Sequence, residues 1–533
     1  MRSRLIFKYP FILLVLFLLF VTTTFAQRKV VRIANEVITA GLMKENLDYL
    51  ASDSLLGRNT PSSGQDSAGA YIVRQFEHYG LKPLSGSFYQ DLDYCYVDIG
   101  SENLLSVDSG TQKRNFKIKS DFIPYDITGE GTIKAPVVFV GYGITAPEYG
   151  YDDYKEVDVK GKIVLVLRQE PGQTDSTIKE FKGKESTRYS NLKEKMKIAR
   201  DHGAVAMLVI SGPINYTSLK PRGFPWPSLS RILPKDALPL SSCKDIGERI
   251  PVAHIGESLI NIFLGSVDSL KNIQQKIEKT MKPNSFLIPD WVVSLNITLI
   301  LKPLGGKNVI GFLKGSDPVL NKEAVVIGAH YDHVGFIKEH KADTDYIYNG
   351  ADDNASGTSG VLALAKAFGS MPEKPKRSVL FMAFAGEEKG LLGSATYVKN
   401  PLFPLENTVA MINLDMISRN HPDSLEIIGT RQNPDLIKII RKQNKKVNMI
   451  LVESKSEHMG GGSDHQNFYN KNIPDVFFFT GLHKDYHQVS DNPDRSDPLK
   501  AARISRLAFL TAWYIANDNR RYKLVKGKDL EGE

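Results

Sequence analysis

The 533-residue chain has only two cysteines, Cys95 and Cys243. Two sulfurs in so long a chain are no disulfide framework, although they could pair with each other in an oxidising compartment. They are also too few for a thiolate zinc site, so any metal must sit on histidine and carboxylate. Long apolar runs are scarce. The N-terminal one, Phe11 to Val21, is about 11 residues, against the roughly 20 that a membrane-spanning helix needs. Long basic runs are missing too. Of the net charge of +8, Arg2, Arg4 and Lys8 supply three, and the remaining +5 is weak support for a nucleic-acid partner, which would want a clustered basic face; no such partner is expected. No tandem repeat or low-complexity tract breaks the chain.

What is present reads as an exported, soluble, multidomain protein. The basic start, the short apolar core and the small residues up to Ala26 form a signal peptide over 1–26, with no cysteine beside Ala26 to accept a lipid. The expectation is a periplasmic or extracellular protein with no stable membrane insertion after cleavage. An apolar fraction of 42% and a charged fraction of 24% suit globular domains, and the length calls for two or three of them. Residues 39–81 show helical spacing around a polar loop, "LLGRNTPSSGQD". From 129 to 282 the character changes to short β runs, and "VVFVGYGI", "DVKGKIVLVL" and "ARDHGAVAMLVI" resemble a protease-associated domain, a non-catalytic insertion in the peptidases that carry it. Apolar strands then alternate with helical stretches over 283–522, before a charged tail at 523–533. This is the grammar of an α/β sandwich around a largely buried sheet.

Chemistry gathers at the ends of the apolar runs. "SVLFMAFAGEEKGLLGS" ends a buried strand in two adjacent carboxylates, Glu387 and Glu388. Around it in the sequence stand "VVIGAHYDHVG" with His330, Asp332 and His333, then "NGADDNASG" with Asp352 and Asp353. "AMINLDMIS" with Asp415 and "HKDYHQVSDN" with Tyr486, His487 and Asp491 follow. Each alone has a plain explanation, such as a helix cap or a solvated strand end. Asp415 resists it, because a charge inside an apolar strand costs several kcal/mol unless paired or bound to metal. Together, histidines and carboxylates suit zinc or a similar divalent ion, and one bridging carboxylate could hold two ions.

In this order the five pieces resemble the co-catalytic di-zinc aminopeptidase family, whose relatives include glutamate carboxypeptidase, glutaminyl cyclase and the transferrin receptor. The resemblance extends to "YLASDSLLGRNTPSSGQDSAGAYIVRQFEHYGLKP" upstream. It implies a zinc-exopeptidase sandwich with a mixed central sheet flanked by helices, and an inserted protease-associated domain. It implies two zinc ions per chain, one on His330 and Asp415, the other on Glu388 and His487, with Asp352 bridging. Glu387 becomes the general base, Asp332 orients His330, and Tyr486 either stabilises the oxyanion or is a packed aromatic. Because neighbours in an extended segment point opposite ways, Glu388 can face metal while Glu387 faces water. The implied activity is removal of N-terminal residues from peptide substrates. A carboxypeptidase or dipeptidase of the same fold is the alternative, with a glutaminyl cyclase or an inactive binding protein further off. "MGGGSD" before His465 is either a flexible lip or a simple loop.

Overall fold

The computed structural model describes residues 28–173, 181, 183, 186–222, 240–454 and 462–525. The expected signal peptide, the centre of the Gly-rich stretch and most of the charged tail lie outside them. Among the described residues no helix is long and apolar enough to cross a membrane.

The chain forms two units, one from Met1–Leu92 with Gly305–Glu533, the other from Asp93–Leu304. The first is built on eight strands: β1 (Tyr89–Asp91), β2 (Lys307–Leu313), β3 (Ala324–His330), β4 (Ser378–Phe384), β5 (Thr408–Leu414), β6 (Ser424–Ile428), β7 (Ile450–Glu453) and β8 (Asp475–Phe479). Their order is β1-β2-β4-β3-β5-β8-β6-β7. The inner four, β4, β3, β5 and β8, are mutually parallel, while β2 and β6 run antiparallel beside them. Every residue of the inner four is buried, as their predominantly apolar sequence requires of strands covered on both faces. This mixed sheet confirms the sandwich expected from the sequence. Helices α1 (Ala40–Leu50), α2 (Ser63–His78), α3 (Gly357–Gly369) and α4 (Pro498–Asn517) belong to this unit, and α4 lies against α1 and α3. The side chains of Thr39, Ser62 and Asp497 cap α1, α2 and α4 by accepting from their first-turn N–H groups.

Of the stretch read as a polar loop between α1 and α2, Asn59–Ser62 is irregular as expected, but its start belongs to a tight 3₁₀ segment, Asp53–Arg58, with Leu56, Gly57 and Arg58 at positive φ. Gly57 is required there, since a Cβ would stand 2.1 Å from the Gly335 carbonyl oxygen. Polar composition concealed a buried segment.

The second unit is wider than the 129–282 read from the sequence. Strands at 104–108, 113–116 and 122–124 precede that range, and the strand Ser285–Ile297 follows it, yet all belong to one eight-stranded sheet with 131–140, 163–167, 206–210 and 252–255. The change in composition marked the middle of the unit, whereas strand pairing sets its edges. Its core gathers Val137, Phe139, Leu165, Leu208, Leu259 and Leu295, all fully buried. Cys95 and Cys243 are joined by a disulfide within this unit.

Candidate metal centre

Parallel strands present functional groups beyond their C-terminal ends, and four segments of the first unit do so here. His330 closes β3, Glu387 and Glu388 follow β4, Asp415 follows β5, and His487 lies in the segment after β8. The turn after β4 corrects one expectation. Glu387–Lys389 is a single 3₁₀ turn between Gly386 and Gly390, both left-handed, and not an extended segment. The two carboxylates still diverge, because the turn sends them toward different histidines.

On one side, His330 Nε2 lies 3.3 Å from Asp353 Oδ1, 3.4 Å from Asp415 Oδ1 and 3.9 Å from Glu387 Oε2. On the other, His487 Nε2 is 3.0 Å from both Asp353 Oδ2 and Glu388 Oε2. His333 Nδ1 joins this second group, 2.8 Å from Glu388 Oε1 and 3.6 Å from Asp353 Oδ2. Asp353 therefore reaches both groups with one oxygen each.

This corrects the expected bridge, Asp352. Its Oδ1 accepts from Ser418 N and Ser418 Oγ, both at 2.7 Å, and from Ser356 Oγ, while its Oδ2 faces His483 at 3.3 Å. The chain turns sharply at the start of α3, where Asp353 has non-helical φ and ψ, so consecutive aspartates face different neighbourhoods. Asp491 holds that turn by accepting from Asp352 N and Asp353 N at 3.0 and 3.1 Å.

Around the groups the supports are mostly residues that the sequence did not single out. Asp332 was expected to orient His330; its carbonyl is the nearer acceptor of His330 Nδ1, at 3.2 Å, with the carboxylate at 3.7 Å. The Asp332 carboxylate also accepts from Glu387 N at 3.2 Å and Thr60 Oγ1 at 3.1 Å. Arg58, fully buried, donates to the carbonyls of Leu50, Tyr331, Asn349 and Gly350, tying the 3₁₀ segment to both metal-side loops. Ser463 donates to Asp415 Oδ2 at 2.7 Å and itself accepts from Asn413. Tyr486 is half-buried, stacks on His487 with ring centroids 3.9 Å apart, and packs against Met416, Ile428, Phe477 and Phe479. Only a structure could reveal Arg58 and Thr60, because their partners lie some 270 residues away in sequence.

The electrostatics follow from the crowding. Burial opposes charge on His330, but Asp415 and Glu387 outweigh it and hold its pKa well above the usual histidine value. Contact with the carboxylates of Asp353 and Glu388 lifts His487 to about 10. Burial pushes Glu387 well above the ordinary carboxylate range, helped by Asp464, Asp415 and Glu388. Asp464, wholly buried beside them, is raised by burial to about 7.

The unmet polar atoms of these residues bear on whether zinc fits them. Asp353 Oδ2, Asp415 Oδ1 and His487 Nε2 are shielded from solvent and have no well-formed hydrogen bond among the described residues. Buried carboxylate oxygens so placed are costly unless a cation satisfies them. Nitrogen and oxygen donors without sulfur suit a borderline divalent ion, and the residues fit. A separate groove, lined in part by Arg28, Arg32, Trp513 and Tyr514, contains none of these residues.

Comparison with known proteins agrees with this picture. Residues 308–512 match Peptidase family M28, and residues 133–261 match the PA domain. The chain is 26% identical over 395 residues to Aminopeptidase YwaD of Bacillus subtilis, covering 72% of this chain and 70% of that protein. It is 33% identical over 165 residues to a probable glutamate carboxypeptidase of Arthroderma benhamiae, covering 30% of this chain and 22% of that one. Among solved structures, the aminopeptidase from Aneurinibacillus sp. strain AM-1 aligns over 93% of this chain and 97% of its own, at 21% identity and a TM-score of 0.46.

Fold, site and matches define a metallo-exopeptidase with an inserted PA domain. More particularly, the M28 match spans every residue of the two histidine-carboxylate groups.

Proposed function

We propose that the chain is an exported, two-zinc aminopeptidase. The observation that carries this reading is Asp353, whose two oxygens each face a separate histidine-carboxylate group. His330, Asp415 and Asp353 would hold one zinc ion; Glu388, His487 and Asp353 the other. Bound zinc supplies Lewis-acid polarisation of the scissile carbonyl and acidifies a water molecule. Glu387 stands beside the His330 group, with Oε2 3.9 Å from His330 Nε2, where its carboxylate can take a proton from water and return it to the leaving amine. Its backbone N–H, held on Asp332, fixes the turn that aims it. The Tyr486 phenol, kept protonated by burial and by Asp353 and Glu388, is the donor we assign to the carbonyl oxygen. The named relative YwaD favours the aminopeptidase, and the shorter match to a glutamate carboxypeptidase favours the alternative.

A panel of free-amine and N-blocked chromogenic substrates, with zinc analysis, tests the assignment. Cleavage restricted to substrates with a free N-terminus, abolished by chelation and restored by zinc, is expected. Hydrolysis of N-blocked substrates with a free C-terminus would transfer the chain to the carboxypeptidase reading. Export rests on residues 1–26 and is consistent with the Cys95–Cys243 disulfide. A mature N-terminus near Gln27 is expected by mass spectrometry, and an intact Met1–Ala26 on membrane-held protein overturns it.

A further inference from the structure

The five-ligand pattern implied by resemblance leaves His333 unused, yet its ring is fully buried and faces the Glu388 side of the centre. We propose that His333 is an additional zinc ligand, giving that ion four protein side chains: His333, His487, Glu388 and Asp353. The assignment rests on the two-zinc reading above. Four ligands about 2.0–2.1 Å from zinc lie about 3.3–3.4 Å apart in a tetrahedron. His333 Nδ1 and His487 Nε2 lie 3.6 and 3.0 Å from the same Asp353 oxygen, Oδ2, and each meets one oxygen of Glu388, Oε1 at 2.8 Å and Oε2 at 3.0 Å, the scale of such a cage. All four donor atoms lie within 4.8 Å of one another. Space for the ring is provided by Gly350, where a Cβ would stand 2.5 Å from His333 Cγ. Nε2 of His333 has no hydrogen-bond partner among the described residues, so the ring's polar side-chain contacts are with the carboxylates of the centre.

The two metal positions then differ in kind. Four protein ligands make a closed position, of the sort that holds zinc structurally. Three, His330, Asp415 and Asp353, leave an open position next to Glu387, where substrate and water must enter. The closed position fills first and releases its ion last.

Zinc titration of the metal-stripped full chain against a chromophoric chelator, with zinc-edge X-ray absorption of the one-zinc form, tests this. Wild type is expected to bind two ions of unequal affinity, the first carrying two imidazoles. His333→Asn keeps an N–H where Nδ1 stands but removes the metal donor. It is expected to weaken the tighter ion by about 10²-fold or more, above the roughly 10–100-fold loss of a merely orienting partner, and leave the weaker ion unchanged. One imidazole on the first ion of wild type, which needs no variant to fold, overturns the assignment, as does a His333→Asn chain that keeps both affinities. Wild type that binds no zinc overturns the metallopeptidase reading itself, a result distinct from either.

Discussion

Glu387 and Glu388 are chemically identical neighbours, so any difference between them comes from where their turn sends them. Glu387→Gln preserves size and polarity but removes the proton acceptor. Turnover is expected to fall by about 10²–10⁴, with both zinc ions retained. Glu388→Gln replaces a ligand facing His333 and His487 with a weak one, so one zinc equivalent should be lost. Zinc analysis beside kcat separates the two, and metal loss from the Glu387 variant alone would reverse the roles. The aspartate pair obeys the same logic. Asp353→Asn is expected to weaken both ions, because Asp353 reaches both groups. Asp352→Asn should keep both ions while costing about 1–3 kcal/mol of stability, through the charged acceptor lost to Ser418 and Ser356. Residue types and motif order made most of this site legible. Which member of an Asp-Asp pair faces the metal was not, because that depends on a backbone turn that the string "ADDN" does not encode.

Elements were legible where burial is uniform. The inner strands are mostly apolar, so their sequence announces them, and the site residues stand at or beyond the end of each run. Short irregular segments were less legible. The turn at Glu387–Lys389 depends on left-handed glycines flanking it, and the 3₁₀ segment at Asp53–Arg58 hides its buried arginine in polar sequence. The strand Val252–Ile255 carries a related concealed feature, His254, which is buried, stacked on Tyr125 and contacted by Ser211 Oγ and Arg222 N. Burial lowers its pKa to about 4, against about 6.5 in an unfolded chain. Between those values the unfolded chain binds the proton more readily. The contribution is complete above about pH 6.5 and is lost as pH falls toward 4, at most about 3 kcal/mol. Denaturant titrations of a chain carrying Trp226→Phe and Trp513→Phe follow the second unit alone, since Trp291, in the strand Ser285–Ile297, is then the remaining tryptophan. Stability is expected to decline over that pH window and to flatten in a His254→Gln variant. An unchanged slope in the variant would remove His254 as the cause.

Two cores, one chemical and one not, make the molecule's responses separable. The first unit gathers Asp353, Asp415, Glu387 and Glu388 within a few ångströms, and without a cation these carboxylates repel one another. The second unit contains no site residue and is crosslinked by Cys95–Cys243 across a sequence separation of 148. A loop of that length makes the disulfide worth about 2–5 kcal/mol to the unit it closes. Chelation is therefore expected to lower the melting of the first unit, read by Trp513, and to abolish activity. A Cys95→Ser, Cys243→Ser chain should instead lower the transition read by Trp291, while zinc content and activity on the smallest substrates persist. Serine substitution is preferred to thiol reductants, which would also strip zinc. The existence of two units was legible in the change of character near residue 129. That the disulfide belongs wholly to the second was not, because Cys95 precedes that change and is drawn in by strand pairing with 240–241 and 299–303. Loss of zinc from the double serine variant, or a shift of the Trp291 transition on chelation alone, would show the two cores to be one cooperative system.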